Sequence, residues 1–304
     1  PDQFKQHILP EKIHMLNVAF LVPELRREFG GCAGNIAYNL KLLGGEPLIM
    51  ATIGSDAASY LQRMDKLGLN RAYVKEVPDS FTAQAFITTD LDDNQITAFH
   101  PGAMSQAHLN EVGHADGVAL GIVAPDGRDA MIEHARQFAA ANIPFIFDPG
   151  QGLPMFDGND LKQFLSLATY ACVNDYEAQM LCDRTGQTLE QLAESVAALI
   201  VTRGGEGAWI FTGGKKIDIE TVQPDAIIDP TGCGQDDQLG ISPNGKFGKG
   251  HLSIHSGGTA TRQCLRAHLD GLPALEIHQK NFVDGLILNL HIRLNVAQSS
   301  PARG

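Results

Sequence analysis

The sequence predicts an α/β fold built on a central, mostly parallel sheet, and two observations carry that prediction. Between residues 117 and 203, strand-like apolar runs alternate with amphipathic helical stretches: strand 117–124, helix 127–141, strand 143–148, helix 159–168, strand 169–173, helices 175–184 and 188–197, and strand 198–203. Strands separated by helices of this length are joined by right-handed parallel crossovers. The second observation is size: 304 residues with a hydrophobic fraction of 43% supply enough apolar surface for one large core. No internal repeat and no long linker divides the chain, so a single domain over 1–304 is expected.

Ahead of the alternating region, residues 15–22 are apolar enough for a strand. Gly30-Gly31 then opens a helix in which Ala33, Ile36, Ala37, Leu40 and Leu43 recur at helical spacing up to Gly44-Gly45. Residues 47–53 read as a buried strand, 57–67 as a helix, and 82–99 as two strands around the turn Asp92-Asp93-Asn94. After the alternating region, 207–222 read as a hairpin turning at Gly213-Gly214. Beyond 238 the pattern deteriorates, because Gly240, Pro243, Gly245, Gly248 and Gly250 crowd a stretch that no stable helix tolerates. Apolar periodicity returns only around 259–270 and 282–294.

The net charge of −12 argues against extended nucleic-acid binding, which takes a basic stripe. No apolar run approaches the ~20 residues that cross a bilayer, and the basic-then-apolar pattern of a signal peptide is absent, so the cytoplasm is the default expectation. Cys32, Cys172, Cys182, Cys233 and Cys264 are scattered without a CxxC pair and read as reduced thiols. His7, His14, His100 and His114 lack metal-ligand spacing. The chain starts at Pro1 in a segment that reads like the middle of a protein, which suggests a missing N-terminal piece.

Several segments suit small-molecule chemistry, each with a plainer alternative. In Asp229-Pro-Thr-Gly-Cys-Gly234 small residues let backbone N–H groups converge on an anion at a helix start; an ordinary Gly-rich turn has the same composition. Val201-Thr-Arg-Gly-Gly-Glu-Gly-Ala-Trp209 ends an apolar strand in a glycine loop, where open α/β sheets bind ligands. Asn174 and Glu177 share a helix face at another strand end; they suit a hydrated Mg²⁺ or simply an N-terminal cap. In Phe29-Gly-Gly-Cys-Ala-Gly-Asn35 the glycines serve either close backbone approach to a ligand or helix–sheet packing.

Taken together, these motifs resemble the PfkB family of carbohydrate and nucleoside kinases, in family order over roughly residues 1 to 237. The resemblance implies a ribokinase-like three-layer sandwich with a central mostly parallel sheet, a small β-sheet lid, and ATP-dependent phosphoryl transfer to a hydroxyl. By the same resemblance Gly30, Gly31, Asn35 and Gln84 bind the acceptor, Asn174 and Glu177 organise Mg²⁺ and the phosphates of ATP, and Thr202, Gly204 and Gly207 contact the nucleotide. Thr231, Gly232 and Gly234 would form the anion hole beside the catalytic base. The N-terminal half is most similar to bacterial adenosine kinases, through His7-Ile-Leu-Pro-Glu-Lys-Ile-His14, Leu43-Gly-Gly-Glu46, Thr88-Thr-Asp90 and Ala98-Phe-His-Pro-Gly-Ala-Met104. That similarity places the lid at about 10–30 and 80–103 and sets Phe99 either against a purine or in the lid's own packing. Lids of this family pair across a dimer interface, so a homodimer through the lid is implied.

The chain departs from the family pattern in two places. The family's catalytic Asp directly follows the second glycine, but Gln235 stands here, followed by Asp236 and Asp237. Either Asp236 serves as base after one extra residue, or the base is lost, since Gln cannot accept a proton at neutral pH. Residues 238–250 then cannot form the helix that follows in the family; a shifted reading frame from about 235 is favoured over divergence. Family members also begin with a strand whose Asp binds the acceptor's hydroxyls, and no residue here inherits that role.

Overall fold

The computed structural model describes Phe4, Ile8 and residues 18–220 apart from 24, 43 and 93, together with the backbone of short strands at 251–256, 263–268, 275–276 and 293–294. Its centre is a six-stranded sheet. Four strands run parallel, β5 (Gly121–Val123), β6 (Phe145–Phe147), β7 (Tyr170–Asn174) and β8 (Ala198–Thr202), and β9 (Ala208–Thr212) and β10 (Lys215–Ile219) extend it antiparallel in the order β10-β9-β8-β7-β6-β5. The β9–β10 turn has positive φ at both Gly213 and Gly214, the two-residue geometry that matches strand twist.

Side-chain alternation along these strands makes two cores. Phe145, Phe147, Ala171, Val173, Leu199, Val201 and Phe211 face the helices α3 (Arg128–Ala140), α4 (Gly158–Leu167), α5 (Asp175–Thr185) and α6 (Leu189–Ala193). The alternate residues Ile146, Cys172, Ile200 and Ile210 face Ile36 of α1 (Cys32–Leu42) on the other side. Period-two burial on both faces is what a sheet covered by helices requires. Phe147 is fully buried and stacks on Phe164, centroids 4.4 Å apart and planes 8° apart, while Phe156 meets Phe164 edge-on at 4.9 Å. The second side of α1 packs on α2 (Ala58–Lys66) around Ala37, Ile49, Met64 and Leu69.

Two smaller sheets flank this body. β1 (Ala51–Gly54) and β2 (Val74–Val77) pair in parallel, and a 3-10 helix, Gly102–Leu109, lies along β1, with Thr52 Oγ1 donating to the Ala103 carbonyl at 2.6 Å. β3 (Gln84–Thr89) and β4 (Gln95–His100) form a separate antiparallel hairpin, as the sequence predicts for 82–99. Its turn is organised by the buried Asp90 carboxylate, which accepts from Asp92 N, Asn94 N and Phe4 N at 2.7–2.9 Å.

Several expectations shift. The strand read at 15–22 is not formed over its described residues 18–22, and Leu21 and Leu25 stand exposed, so no apolar burial holds this stretch extended against a sheet. The helix read at 188–197 is only Leu189–Ala193, because Ala197 N already donates to Thr169 O at 2.8 Å and enters the sheet register. The strand at 263–268, paired with 251–256, occupies part of the periodic stretch 259–270. The segments 221–250 and 277–292 lie outside the described residues.

Phe147→Ala removes a fully buried ring from the face-to-face stack with Phe164. It is expected to cost about 3–5 kcal/mol, against about 1 kcal/mol for Phe147→Leu, read as the shift in urea midpoint at constant slope.

Candidate functional site

Because β5 to β8 are parallel, their carboxyl ends lie on one edge of the sheet, the edge where open α/β sheets bind ligands. The chain leaves each end with a polar residue: Asp126 after β5, Asp148 after β6, Asn174 at the end of β7 and Thr202 at the end of β8. Asn174 and Thr202 are direct register partners, so two motifs far apart in sequence meet side by side.

Asn174 is the N-cap of α5. Its Oδ1 accepts from Glu177 N at 2.8 Å, and its own N–H donates to Glu177 Oε2 at 2.9 Å, a reciprocal capping box. The plainer of the two sequence readings is therefore realised. The Glu177 carboxylate is committed to this cap through Oε2, and hydrogen bonds from Asn174, backbone first, partly offset the effect of its burial.

The edge is electrostatically strained. Burial, then the charge of Glu177, raises the Asp148 carboxyl well above its ordinary range, and the Gly150 N–H offsets this only in part. Burial also raises Glu177, and it pushes Asp126 up to about 6 although Asp126 accepts from Gly127 N at 2.7 Å. Cys32, first residue of α1, is pushed up to about 11 by burial and then by Asp148, so it stays a thiol. The same coupling places the start of α1 beside these carboxylates, and the chain enters it through the exposed Gly30-Gly31 turn, where Gly31 has φ 100°. Asn35 N donates to the Gly31 carbonyl at 3.0 Å, closing the first turn, and Asn35 is half-buried.

The Thr202–Gly207 segment is a closed loop: Arg203 N donates to Gly207 O at 2.8 Å, and Gly204 and Gly207 both take positive φ, 51° and 93°. Arg203 is committed to that loop. Its Nη1 meets Glu206 Oε2 at 3.1 Å, its Nη2 donates to Glu206 O at 2.7 Å, and its guanidinium lies 4.3 Å from the Trp209 ring centroid, which Lys216 also approaches at 3.6 Å. The loop thus offers backbone rather than a free cation.

On the hairpin, Gln84 pairs with His100, and Phe99, paired with Ala85, is 52% exposed. Gly232, Gly234, Thr231 and Asp236 lie outside the described residues. Asp126 and Asp148 are the site residues that sequence reasoning missed. A signal existed, since Phe-Asp148-Pro-Gly and Ala-Pro-Asp126-Gly put a carboxylate straight after an apolar strand, as Val173-Asn174 does with its amide. Among the described residues no group of three or more His, Cys, Asp and Glu is arranged to hold a metal by itself, and no helix is long and apolar enough to cross a membrane.

The raised pKa of Asp126 makes its contribution to stability depend on pH. Its folded pKa lies above the unfolded value of 3.8, so the neutral form's advantage is complete below about pH 4 and is lost as pH rises through 6. Asp126→Asn keeps an acceptor for Gly127 N–H without the buried charge. It should stabilise the protein at pH 7.5 by about 1–2 kcal/mol, below the ~3 kcal/mol ceiling of a two-unit shift. Thermal melts should show that gain vanishing near pH 4.

Comparison with known proteins agrees with this geometry. The model of the pfkB family carbohydrate kinases matches residues 6–234, ending one residue before Gln235. A nucleoside kinase of Methanocaldococcus jannaschii is 30% identical over 237 residues, covering 76% of each chain. The structure of a Burkholderia thailandensis nucleoside kinase in complex with inosine is 54% identical with a TM-score of 0.70, over 77% of this chain and 75% of that one. Its complex described as ADP-inosine is 56% identical with a TM-score of 0.68, over 77% and 73%. With the motifs in family order, the sheet in family architecture and a family match over most of its length, this chain belongs to the pfkB family of carbohydrate kinases.

Proposed function

We propose that the chain transfers the γ-phosphoryl group of ATP to a hydroxyl of a nucleoside, with adenosine as acceptor. The observation that carries this reading is the convergence, on one sheet edge, of the closed Thr202–Gly207 loop, the Asn174–Glu177 cap with its strained carboxylates, and the Gly30-Gly31 turn at the start of α1. The Burkholderia thailandensis relative, whose structures are described with inosine and with ADP-inosine, supports a nucleoside over a free sugar.

In this reading each group has a task. Thr202, Gly204 and Gly207 present backbone to the nucleotide, with Thr231, Gly232 and Gly234 forming the anion hole at the transferred phosphoryl. Gly30, Gly31, Asn35 and Gln84 position the nucleoside. Phe99 lies over its base, a task that suits an aromatic ring left half-exposed on a two-stranded hairpin. Asp236 takes the proton of the attacking hydroxyl, Gln235 being unable to. Catalysis in this class is mostly positioning and neutralisation of charge.

Magnesium fits the edge, because Glu177 and Asp148 each have an ionised form disfavoured by burial and Glu177 lies close enough to Asp148 to disfavour its ionisation further, a charge arrangement that a cation favours. Asn174 and Glu177 would hold it through water, the pattern expected of a hard cation shared with phosphates. Bound there, the ion would neutralise charge on the phosphates. The exposed Phe86 and Ile87 on the hairpin suit a homodimer paired through it, in a cytoplasmic enzyme.

A coupled ADP-release assay across adenosine, inosine, ribose and hexoses tests the reading, with adenosine expected to give saturable turnover. Ribose or a hexose turned over ahead of every nucleoside would make the chain a sugar kinase. An inert protein that still gains thermal stability with adenosine would make it a nucleoside-binding protein. Phe99→Ala, at a half-exposed position where truncation costs little stability, should raise nucleoside KM about tenfold, as losing one stacked base contact would, and leave sugar turnover unchanged.

A further inference from the structure

One short segment reaches both walls of the proposed acceptor site. Asp56, just ahead of α2, accepts through Oδ1 from the Thr82 N–H and from the Thr82 hydroxyl, each at 2.7 Å, and through Oδ2 from Gln84 Nε2 at 2.9 Å. Thr82 Oγ1 in turn accepts from Gly54 N at 3.0 Å. A backbone N–H only donates and an ionised carboxylate only accepts, so the direction of every bond in this chain is fixed. The hydrogen bonds from Thr82, backbone first, hold the Asp56 carboxyl below its ordinary range and keep it ionised. The Gln84 amide therefore turns its NH₂ to Asp56, and its carbonyl oxygen is the end left to meet a ligand.

The backbone around this clamp leaves little slack. A Cβ on Gly54 would collide with the Ser80–Thr82 backbone, and one on Gly102, at φ 48°, would collide with the Phe81 carbonyl, so both ends of the hairpin are seated against β1 and each other. Ala103 N donates to Phe81 O at 2.8 Å, joining the two ends directly.

Within the first turn of α2, Tyr60 holds the other wall. Its Oη donates to the Gly30 carbonyl at 2.8 Å, and its ring meets Phe29 edge-on at 5.6 Å and 75°. Gly34 permits this contact, because a Cβ there would collide with the Tyr60 hydroxyl. Arg63, a turn further along α2, lies 5.1 Å from the Phe29 ring centroid.

We infer that Asp56 and Tyr60 are positioning residues that set the spacing between the Gly30-Gly31 turn and the root of β3, and that Asp56 orients the Gln84 amide so that its carbonyl oxygen accepts from a hydroxyl of the bound nucleoside. The inference rests on the kinase reading above and deepens it. Neither residue takes part in the phosphoryl step, so their loss is felt by the acceptor and not by ATP.

The test is steady-state kinetics on Asp56→Asn, Tyr60→Phe and the double variant D56N/Q84E, with melts and hydrogen exchange alongside. D56N sets two NH₂ groups against each other and turns the Gln84 amide over. D56N and Y60F should each raise nucleoside KM by about tenfold, the scale of one mispaired hydrogen bond, with ATP KM held within about twofold. The double variant restores a donor facing an acceptor with the net charge unchanged, and should recover most of the lost affinity. Exchange at the Thr82 and Gly54 amides should rise about tenfold in D56N, as their acceptors are disturbed. Unchanged nucleoside KM in both single variants, or equal losses for nucleoside and ATP without rescue, would overturn the inference. A wild-type chain that releases no ADP with any nucleoside sinks the kinase reading instead; the clamp then stands or falls on exchange at Thr82 and Gly54.

Discussion

The parallel register of β5 to β8 is the constraint on which the site depends. Parallel strands must all be re-entered from the same end, so each crossover helix returns the chain and each strand delivers its last residue to one edge. Val123↔Phe147 and Asn174↔Thr202 are neighbours for that reason alone. The core enforces the register: a slip of one residue would exchange Phe145 and Phe147 for Ile146 and put the wrong side chains against both helix layers.

What the edge collects is costly to collect. Asp126, Asp148 and Glu177 all have ionised forms disfavoured by burial, and Glu177 further disfavours the ionisation of Asp148. A protein selected only for stability would replace them with neutral residues. Their presence at strand ends, beside the Asn174–Glu177 cap, is an arrangement that the cation proposed above would relieve. The Gly30-Gly31 turn and the root of β3 follow a different logic, being held by Tyr60 in the first turn of α2 and by Asp56 just ahead of it.

Much of this was legible in the sequence, and the limits were physical. The alternation over 117–203 is strong because two-sided burial writes long apolar strands between amphipathic helices, and Asn174, Thr202, Gly204 and Gly207 fall where strand ends and glycines announce them. Short elements were harder. β2 is four residues, Val74–Val77, carrying two charged side chains, and the 3-10 helix at Gly102–Leu109 has no period to read. Asp148 closes the strand-like run 143–148 in sequence, and nothing local shows that Glu177, far along the chain, comes within electrostatic reach of it. Asp56 was invisible for the same reason, its partners Thr82 and Gln84 being brought to it by the path of the hairpin.

In the proposed function, the edge carboxylates serve a cation shared with ATP. Magnesium titration of ADP release in Glu177→Gln tests it most directly, because glutamine keeps an acceptor for the Asn174 N–H and removes only the charge. The half-saturating Mg²⁺ concentration is expected to rise roughly tenfold or more, the scale of one charge-assisted contact, with nucleoside KM unchanged. An unaltered Mg²⁺ dependence in a folded, active variant would contradict it.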